Sequence, residues 1–423
     1  MSEVFSDALA GWRRRLTAVR WLVSGLLCIF FLNGCGRQSA AKTDGSPRRP
    51  STLVVPATGA YTGAFIAGDE ATITEDDVQL ENIEAFESDV GKHQAILAFS
   101  SYWGQQTFPT AAANVVIRHG SVPLIFWSPW DYPYLENKGP DRFRLDAILA
   151  GKWDAYIDQW ADAARALGTP ILVSFCNEMN GDWFPWSGTF YGAGDPVRGD
   201  GKSDAATSPP PAAAADASAH PAAATPPPQP PLAAGPEFFK RTYRYVVNRV
   251  RARGARNVLW VFHVNNFSEP VAPWNRLANY YPGSDCIDWL GVSVYGQQFP
   301  STDPRDWKDF EGLLRPAYDE LAKLDPAKPI IVAEWGVGEF PKHGDRPGGG
   351  GDKAQWLNDA FNTMRLDCPR LRAAVYWHER WQNSGGGARG LYSNLRVTSS
   401  PAALAAYRRG VALPFWLSEP IFQ

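Results

Sequence analysis

Eight short apolar runs alternate with segments of helical periodicity between residues 60 and 415. Each run has the length and composition of a strand buried on both faces, as in a parallel sheet. The predicted strands begin at Thr62, Ala95, Val122, Pro170, Val258, Trp289, Ile330 and Ala373. Strands that alternate with helices form parallel sheets, and eight such units close into a barrel. The sequence therefore predicts an α/β fold, a (β/α)₈ TIM barrel.

The helices of this barrel are predicted from periodicity and from their end signals. One helix is expected over Glu75–Val90, with Thr74 as its N-cap, and another over Leu145–Leu167, ending at Gly168. The others are Glu237–Arg253, Trp307–Leu324, Lys353–Leu366 and Ala402–Arg409.

Two of the predicted strands end in a glutamate. Glu178 follows the fourth strand and precedes a loop with three aromatic residues, Trp183, Phe184 and Trp186, and Glu334 ends the seventh strand. Residues at the carboxyl ends of barrel strands line the active site. Two carboxyl groups there favour glycoside hydrolysis, in which one protonates the leaving oxygen and the other attacks or activates water. The alternative from the residues alone is that each glutamate pairs with an arginine and closes a strand end.

The stretch Asn177-Glu-Met-Asn-Gly-Asp-Trp-Phe-Pro-Trp186 resembles the signature His-Glu-Met-Asn-Gly-x-Trp-(Phe/Tyr)-x-Trp of glycoside hydrolase family 26. Ala333-Glu-Trp-Gly336 resembles the nucleophile strand of that family, and the resemblance covers about residues 60 to 415. The family holds β-mannanases, some β-glucanases and β-1,3-xylanases. The resemblance implies a (β/α)₈ barrel and a retaining mechanism, with Glu178 as acid/base and Glu334 as nucleophile.

The sequence departs from the family pattern beside the acid/base. Mannanases of the family usually carry His before this residue and an Arg a few residues earlier, where this chain has Asn177 and Ser174. In the wider clan an Asn at this place binds the sugar 2-hydroxyl, the group at which mannose and glucose differ. The departure puts mannan in doubt and leaves β-glucan, xylan and β-mannan open as substrates.

The resemblance also implies substrate contacts. A Tyr in the place of Tyr295 hydrogen-bonds the nucleophile in the family, and the wider clan places a ring such as that of Trp377 beneath the sugar. Rings near strand ends suit stacking on sugars, and the candidates are Trp130, Trp183 and Trp186. His263, at the end of strand five, is either a substrate contact or a structural histidine. Weaker contact candidates are Asp131, His378 and Glu379.

The N-terminus has the pattern of a targeting segment. Four arginines between residues 13 and 20 precede an apolar run, Trp21–Leu32, that is too short to favour a spanning helix. Leu32-Asn-Gly-Cys35 resembles a bacterial lipobox, and residue 36 is Gly and not the Asp of an inner-membrane retention signal. We expect a signal peptide over 1–35, a lipidated Cys35, a flexible tether over 36–58 and the barrel over 59–423. This predicts a lipid anchor in the bacterial cell envelope, at the outer membrane, on the periplasmic or extracellular side. Plain secretion and an uncleaved anchor are the alternatives.

Composition excludes several other classes. A net charge of −3 gives no basic face for nucleic acid. Cys176, Cys286 and Cys368 form no disulfide framework, although one bridge between Cys286 and Cys368 stays open. No Cys/His metal spacing or phosphate loop is present, so we expect no metal, no cofactor and a monomer. Residues 194–235, rich in Ala and Pro, are predicted to be a disordered insertion, either a tolerated loop or a lid.

Three functions fit this sequence. The first is a retaining, endo-acting β-glycoside hydrolase. The second is a transglycosylase with the same residues, and the third is a polysaccharide-binding or export-assisting lipoprotein on an inactive barrel, because a fold does not fix a function.

Overall fold

A computed structural model describes residues 52–67, 75–131, 142–192, 234–299, 306–340, 351–382 and 390–423. The signal peptide, Cys35 and residues 193–233 lie outside these ranges, so the anchor and most of the predicted insertion are not described. Ala234 and Gly235, predicted as the end of the insertion, begin a helix instead. The end of the predicted tether packs on the barrel, where Leu53 is buried and bridges to Phe422 near the C-terminus.

The sheet is a closed parallel barrel of eight strands, which confirms the predicted fold. The strands are β1 (Ala60–Ile66), β2 (Ile96–Tyr102), β3 (Val122–Ser128), β4 (Ile171–Phe175), β5 (Val258–Asn265), β6 (Trp289–Tyr295), β7 (Ile330–Gly336) and β8 (Leu371–His378). Each pairs with the next, and β8 pairs with β1 over six residues to close the ring. In the described ranges three short strands lie outside the ring: β9 (Arg380–Gln382), β10 (Tyr392–Asn394) and β11 (Trp416–Leu417).

Eight helices are found in the described residues. They are α1 (Leu80–Val90), α2 (Thr110–His119), α3 (Leu145–Leu149), α4 (Asp154–Leu167), α5 (Ala234–Ala252), α6 (Phe310–Leu324), α7 (Lys353–Leu366) and α8 (Pro401–Val411). None of the helices in this part of the chain is both long and apolar enough to cross a membrane.

Two helix predictions need correction. The first helix begins at Leu80 and not at Glu75, because the carboxylate of Glu75 accepts hydrogen bonds from Ser100 and Tyr102 on β2. The expected single helix Leu145–Leu167 is divided into α3 and α4. Gly151 lies at the break with a φ of +77°, a left-handed conformation that does not continue a helix.

Alternate residues of each strand pack on opposite sides of the sheet. On β3, Leu124 and Phe126 belong to the barrel interior, whereas Ile125 and Trp127 pack under the surrounding helices. Because both faces are buried, each strand is largely apolar, which explains the apolar runs in the sequence. The three cysteines of this part of the chain, Cys176, Cys286 and Cys368, are buried and free, so the disulfide left open by the sequence does not form.

Candidate active site

Glu178 is positioned by an unusual turn after β4. Cys176 and Glu178 have φ values of +53° and +54°, which non-glycine residues rarely adopt. The turn is held by hydrogen bonds from Glu178 N to the carbonyl of His263 (2.8 Å) and from Gly181 N to the carbonyl of Glu178 (2.9 Å). Strained backbone of this kind persists where the surroundings determine it fully, and it is common at functional sites.

Glu334 is turned into the barrel by a β-bulge. Along β7, Ile331 and Ala333 face the interior, so regular alternation would direct Glu334 toward the helices. The register with β6 shifts between Val292 and Ser293, so that Ser293 pairs with Glu334 and Ala333 is passed over. Bulges of this kind redirect a side chain. Trp335 then packs in the outer core, as expected for the residue after an inward one.

The two elements bring the glutamates into one cluster. The side-chain Nδ2 of Asn177 lies 3.5 Å from Oε1 of Glu334, and the hydroxyl of Tyr295 donates to Oε2 of Glu334 at 2.8 Å. The hydrogen bond that the resemblance implies for Tyr295 is thus present. Glu178 and Glu334 are only 7% and 6% exposed. The residues that follow β4 and those on β6 and β7 therefore form one nearly dry site.

Glu178 has its own set of donors. Trp183 Nε1 donates to Oε2 of Glu178 at 2.7 Å, and Ser293 donates to the same carboxylate. Ser293 Oγ lies 2.8 Å from Nε2 of His263, and His263 Nδ1 lies 2.9 Å from Ser174 Oγ. Burial lowers the pKa of His263 to about 3, so the ring is neutral. A neutral ring that donates through Nε2 and accepts through Nδ1 aligns the chain Ser174, His263, Ser293 toward Glu178.

The electrostatics of the pair favour a shared proton. Burial raises the pKa of Glu178, and burial together with the charge of Glu178 raises the pKa of Glu334. Two buried carboxyls this strongly coupled cannot both ionise readily, so one proton is held by the pair. Within the described residues no Arg or Lys lies at ion-pair distance from either group, so the strand-end ion pair is not found in this part of the chain.

A second pair of acids lies on the β1, β2 and β8 side of the site. Trp377 Nε1 donates to Oε2 of Glu379 at 2.7 Å, and its ring stacks on Phe65 at 3.8 Å between centroids. The pKa of Glu379 is raised to about 8 by burial and by the charge of Glu75, which also raises the pKa of Glu334. Glu75 carries no site signal in the sequence, since it resembles an acid in the first turn of a helix and lies away from any strand end. Glu379 was only a weaker candidate.

Three predicted contacts are held by hydrogen bonds within the protein. Trp186 is 1% exposed and donates from Nε1 to the carbonyl of Asn177, so it supports the loop. His263 has no exposed surface and belongs to the hydrogen-bonded chain, which favours the structural alternative. His378 is buried and accepts from the backbone of Val397. These contacts favour structural roles for Trp186 and His263 over the stacking and binding roles predicted for them.

The remaining candidates lie nearer the surface. Trp183 is half-buried beside Glu178, with the exposed ring of Phe267 6.1 Å away. Trp130 is buried and packs edge-on against Phe184, at 5.9 Å between centroids. Asp131 forms an ion pair with Arg142 at 2.6 Å on the surface.

Comparison with known proteins finds similarity to a family of glycoside hydrolases. The profile of glycosyl hydrolase family 26 matches residues 229–332, a range that ends two residues before Glu334. Endoglucanase H of Acetivibrio thermocellus is 28% identical over 299 residues, which are 71% of this chain and 25% of the relative. A mannan endo-1,4-beta-mannosidase of Bacillus subtilis is 25% identical over 302 residues, which are 70% of this chain and 62% of the relative. The chain thus spans from a quarter to under two thirds of these relatives.

Solved structures show the same fold. The catalytic domain of a Bacillus sp. JAMB-750 GH26 endo-beta-1,4-mannanase aligns with a TM-score of 0.52 at 15% identity, over 85% of this chain and 87% of that chain. Together with the sequence matches, this confirms the resemblance to glycoside hydrolase family 26.

Proposed function

We propose that this relative of glycoside hydrolase family 26 is a retaining, endo-acting hydrolase of a β-linked polysaccharide. The observation that supports the proposal most is the pairing of Glu178 and Glu334, whose electrostatic interaction contributes to the raised pKa of Glu334. Both carboxyls are nearly dry, each has its own neutral donors, and neither has an Arg or Lys partner among the described residues. A structural ion pair would compensate its charge, whereas two acids held together are what double displacement requires.

The first half of the reaction uses both acids at once. A carboxylate oxygen of Glu334 attacks the anomeric carbon, the bond to the leaving oxygen breaks, and Glu178 gives its proton to that oxygen. The product is a glycosyl ester of Glu334 and a shortened polymer. In the second half, water attacks the anomeric carbon, Glu178 takes its proton, and the ester bond breaks. Two inversions restore the original configuration, and this geometry needs carboxyls about 5 to 5.5 Å apart.

The surroundings suit this change of roles. Burial raises the pKa of Glu178, and the charge of a neighbouring ionised carboxylate adds to this effect, so the acid stays protonated while Glu334 is ionised. Once Glu334 is an ester, that charge is gone, and Glu178 becomes a base. Tyr295 and Asn177 donate to Glu334 and orient it, and the chain that ends in Ser293 fixes Glu178.

The rim of the site supports a polymeric substrate. Five exposed apolar side chains lie in segments that follow barrel strands, and they are Phe267, Val271, Phe299, Leu391 and Tyr392. Apolar and aromatic surfaces of this kind stack on sugar rings, and a rim that extends beyond one sugar favours cleavage within a chain. Asn177 lies beside Glu334, where the 2-hydroxyl of the reacting sugar would be. We therefore expect glucan or xylan to be preferred over mannan.

The test is reducing-sugar release by the purified chain from β-mannan, mixed-linkage glucan, a cellulose derivative and xylans. Glu178→Gln and Glu334→Ala remove the two roles, and Asp182→Asn, an exposed acid in the same loop as Glu178, is the matched control. We expect release from one polymer class with retention of the anomeric configuration. Both glutamate variants should lose it, while Asp182→Asn keeps it.

The same experiment separates the alternatives. Binding of a polymer without any release, unchanged in both glutamate variants, would make the chain a binding lipoprotein. Longer oligosaccharides in place of reducing ends would make it a transglycosylase. Release from mannan alone would contradict the role given to Asn177 and leave the mechanism intact.

We further propose that Cys35 carries the lipid anchor and holds the chain at the outer membrane. The basic segment, the apolar run Trp21–Leu32 and the lipobox-like Leu32-Asn-Gly-Cys35 support this. Mass spectrometry of the N-terminal peptide should find a mature chain that starts at a lipidated Cys35. A chain that starts elsewhere, or a Cys35→Ser variant that stays in the membrane fraction, would contradict it.

A further inference from the structure

A histidine and glutamate cluster lies at the opposite end of the barrel from the active site. Glu87 is on α1, His93 precedes β2, and His119 ends α2 just before β3. The N-terminal ends of β2 and β3 are here, whereas Glu178 and Glu334 follow the carboxyl ends of their strands. A strand of seven residues separates the two levels by roughly 20 Å. The cluster therefore has no part in the proposed hydrolysis.

Three potential ligand atoms converge in this cluster. His93 Nδ1 and His119 Nε2 both lie 3.2 Å from Oε2 of Glu87. All three atoms lie within 4.8 Å of one another, and the two rings are stacked with centroids 4.5 Å apart. The side chains are 24%, 9% and 16% exposed for His93, His119 and Glu87, so an ion can reach them from solvent.

The hydrogen bonds around His119 determine where its proton is. Ser121 Oγ lies 2.6 Å from the carbonyl oxygen of Gln94, a contact that only the serine hydrogen can make. Ser121 must then accept from His119 Nδ1, 2.9 Å away. In a neutral ring the proton is on Nδ1, and Nε2 presents a bare lone pair to the carboxylate of Glu87 at 3.2 Å.

Two lone pairs in contact require a positive charge between them. A second proton on His119, at Nε2, would satisfy only the contact between His119 and Glu87. The imidazole nitrogen of the other histidine, His93 Nδ1, lies 3.2 Å from the same oxygen of Glu87. The second carboxylate oxygen, Oε1, already accepts a hydrogen bond from the backbone N–H of Gln94 at 2.7 Å. Convergence of two imidazoles on one carboxylate oxygen is the arrangement of a metal site.

The ligand set selects the ion. Two imidazoles and one carboxylate suit Zn²⁺ and similar late transition metals, whereas Ca²⁺ and Mg²⁺ prefer oxygen ligands. Tetrahedral bonds of about 2.0 to 2.2 Å place neighbouring ligand atoms roughly 3.3 Å apart. The two nitrogen–oxygen separations of 3.2 Å fit that geometry. Ser121 on His119 Nδ1 supplies the outer contact that orients a metal-binding histidine.

We propose that Glu87, His93 and His119 bind one Zn²⁺ ion, with water at the fourth position, and that the ion joins α1, α2 and the entry to β2. The ligands are six and 32 residues from Glu87, so no spacing motif in the sequence indicates the site. A metal that binds only the folded chain stabilises it, and at this end of a barrel conserved features serve stability. The role of the ion is therefore structural.

The test uses the full chain, purified in mild detergent and stripped with a chelator. Metal analysis after equilibrium dialysis should find one Zn²⁺ per chain, and Zn²⁺ should raise the Tm by a few degrees where Ca²⁺ and Mg²⁺ do not. Glu87→Gln and His119→Gln keep hydrogen-bonding groups in place but remove a ligand, and we expect each to weaken Zn²⁺ binding at least about tenfold. Glu84→Gln, an exposed acid one turn earlier on α1, is the matched control and should bind as the parent does.

Three results would overturn the proposal: no stoichiometric uptake, uptake that survives both ligand variants, or a Tm that depends on pH but not on Zn²⁺. The last would assign a second proton to His119 in place of a metal. Hydrolysis per folded molecule is expected to be the same with and without Zn²⁺, so failure of this site and failure of the proposed hydrolase are measured independently.

Discussion

The two ends of the barrel hold carboxylates in opposite surroundings. At the carboxyl end of the strands, Glu178 and Glu334 interact electrostatically and have neutral donors around them. At the other end, Glu87 faces two imidazole nitrogens at 3.2 Å. Burial and like charge raise the pKa of the first two acids, which destabilises their ionised forms. Glu87, at the opposite end, has imidazole partners that can compensate its charge or bind a metal ion together with it.

The difference shows how one residue type serves reactivity at one end and stability at the other. Uncompensated buried carboxyls lower the stability of the folded chain and are retained only where chemistry uses them. A carboxylate with convergent nitrogen ligands can contribute to stability through a bound ion. Replacing the acid by its amide should therefore have opposite effects on stability at the two ends.

The largest expected effect is that of Glu334→Gln. The amide keeps the shape and accepts from Tyr295 but cannot attack the anomeric carbon, so kcat should fall by at least about 10⁴-fold. Because the amide removes a buried acid that has no Arg or Lys partner among the described residues, the Tm should rise by a few degrees, whereas Glu87→Gln should lower it when Zn²⁺ is bound. Thermal unfolding and polymer hydrolysis on the same samples check both. A lower Tm for Glu334→Gln would contradict the contrast between the two ends.

The next effect is that of Tyr295→Phe, which removes the hydroxyl that donates to Glu334 at 2.8 Å. That bond favours the ionised nucleophile, so without it the pKa of Glu334 rises and the acidic limb of the pH–rate profile moves to higher pH. We expect kcat to fall by about 10 to 100-fold. Tyr407→Phe, which removes a buried hydroxyl on α8, is the control and should leave the limb in place. An unmoved limb in Tyr295→Phe would make that tyrosine a packing residue.

The barrel was predictable because its strands are buried on both faces. Apolar runs identify such strands within a few residues. Once the barrel is predicted, the acids after β4 and at the end of β7 are expected at the carboxyl end of its strands. Helix boundaries were less accurate, since local signals compete with distant partners. Glu75 resembles a first-turn acid in sequence, but its carboxylate is bonded to Ser100 and Tyr102 on β2. The sequence predicts one continuous helix across Gly151, whereas the left-handed conformation of this residue divides it into two.

Side-chain roles could be predicted only in part. That Trp183 and Trp186 share a loop is visible in the sequence, but only the fold shows that one donates to Glu178 and the other is buried beneath. The role of His263 is likewise visible only in the fold, because its partners Ser174 and Ser293 come from β4 and β6. The β-bulge that turns Glu334 inward has no sequence signal. The cluster around Glu87 escapes motif reasoning because its ligands come from three separate segments.

A smaller effect is expected for Trp183→Phe. The variant keeps a ring beside Phe267 but loses the Nε1–H that donates to Glu178 at 2.7 Å. Loss of a donor to the carboxylate raises the pKa of Glu178, so the acid stays protonated to higher pH and the basic limb of the profile moves upward. The change in kcat should be less than about tenfold. Phe267→Leu, which alters only the neighbouring ring, should change KM without moving the limb, and a limb that moves equally in both variants would contradict the assignment.

The smallest effect concerns stability and Glu379. Burial and the charge of Glu75 raise its pKa to about 8, whereas in the unfolded chain a glutamate has a pKa of about 4.3. Between these values the unfolded state releases the proton that the folded state keeps, so the free energy of unfolding falls as the pH rises through this window. The variant Glu379→Gln has no carboxyl group at this position, so its free energy of unfolding does not fall with pH for this reason. Its Tm should therefore exceed the parent value by a margin that widens from pH 5 to pH 8, measured beside Glu84→Gln, whose exposed carboxylate should give no widening. A margin that stays constant would mean that Glu379 is ionised at neutral pH and binds substrate as a carboxylate.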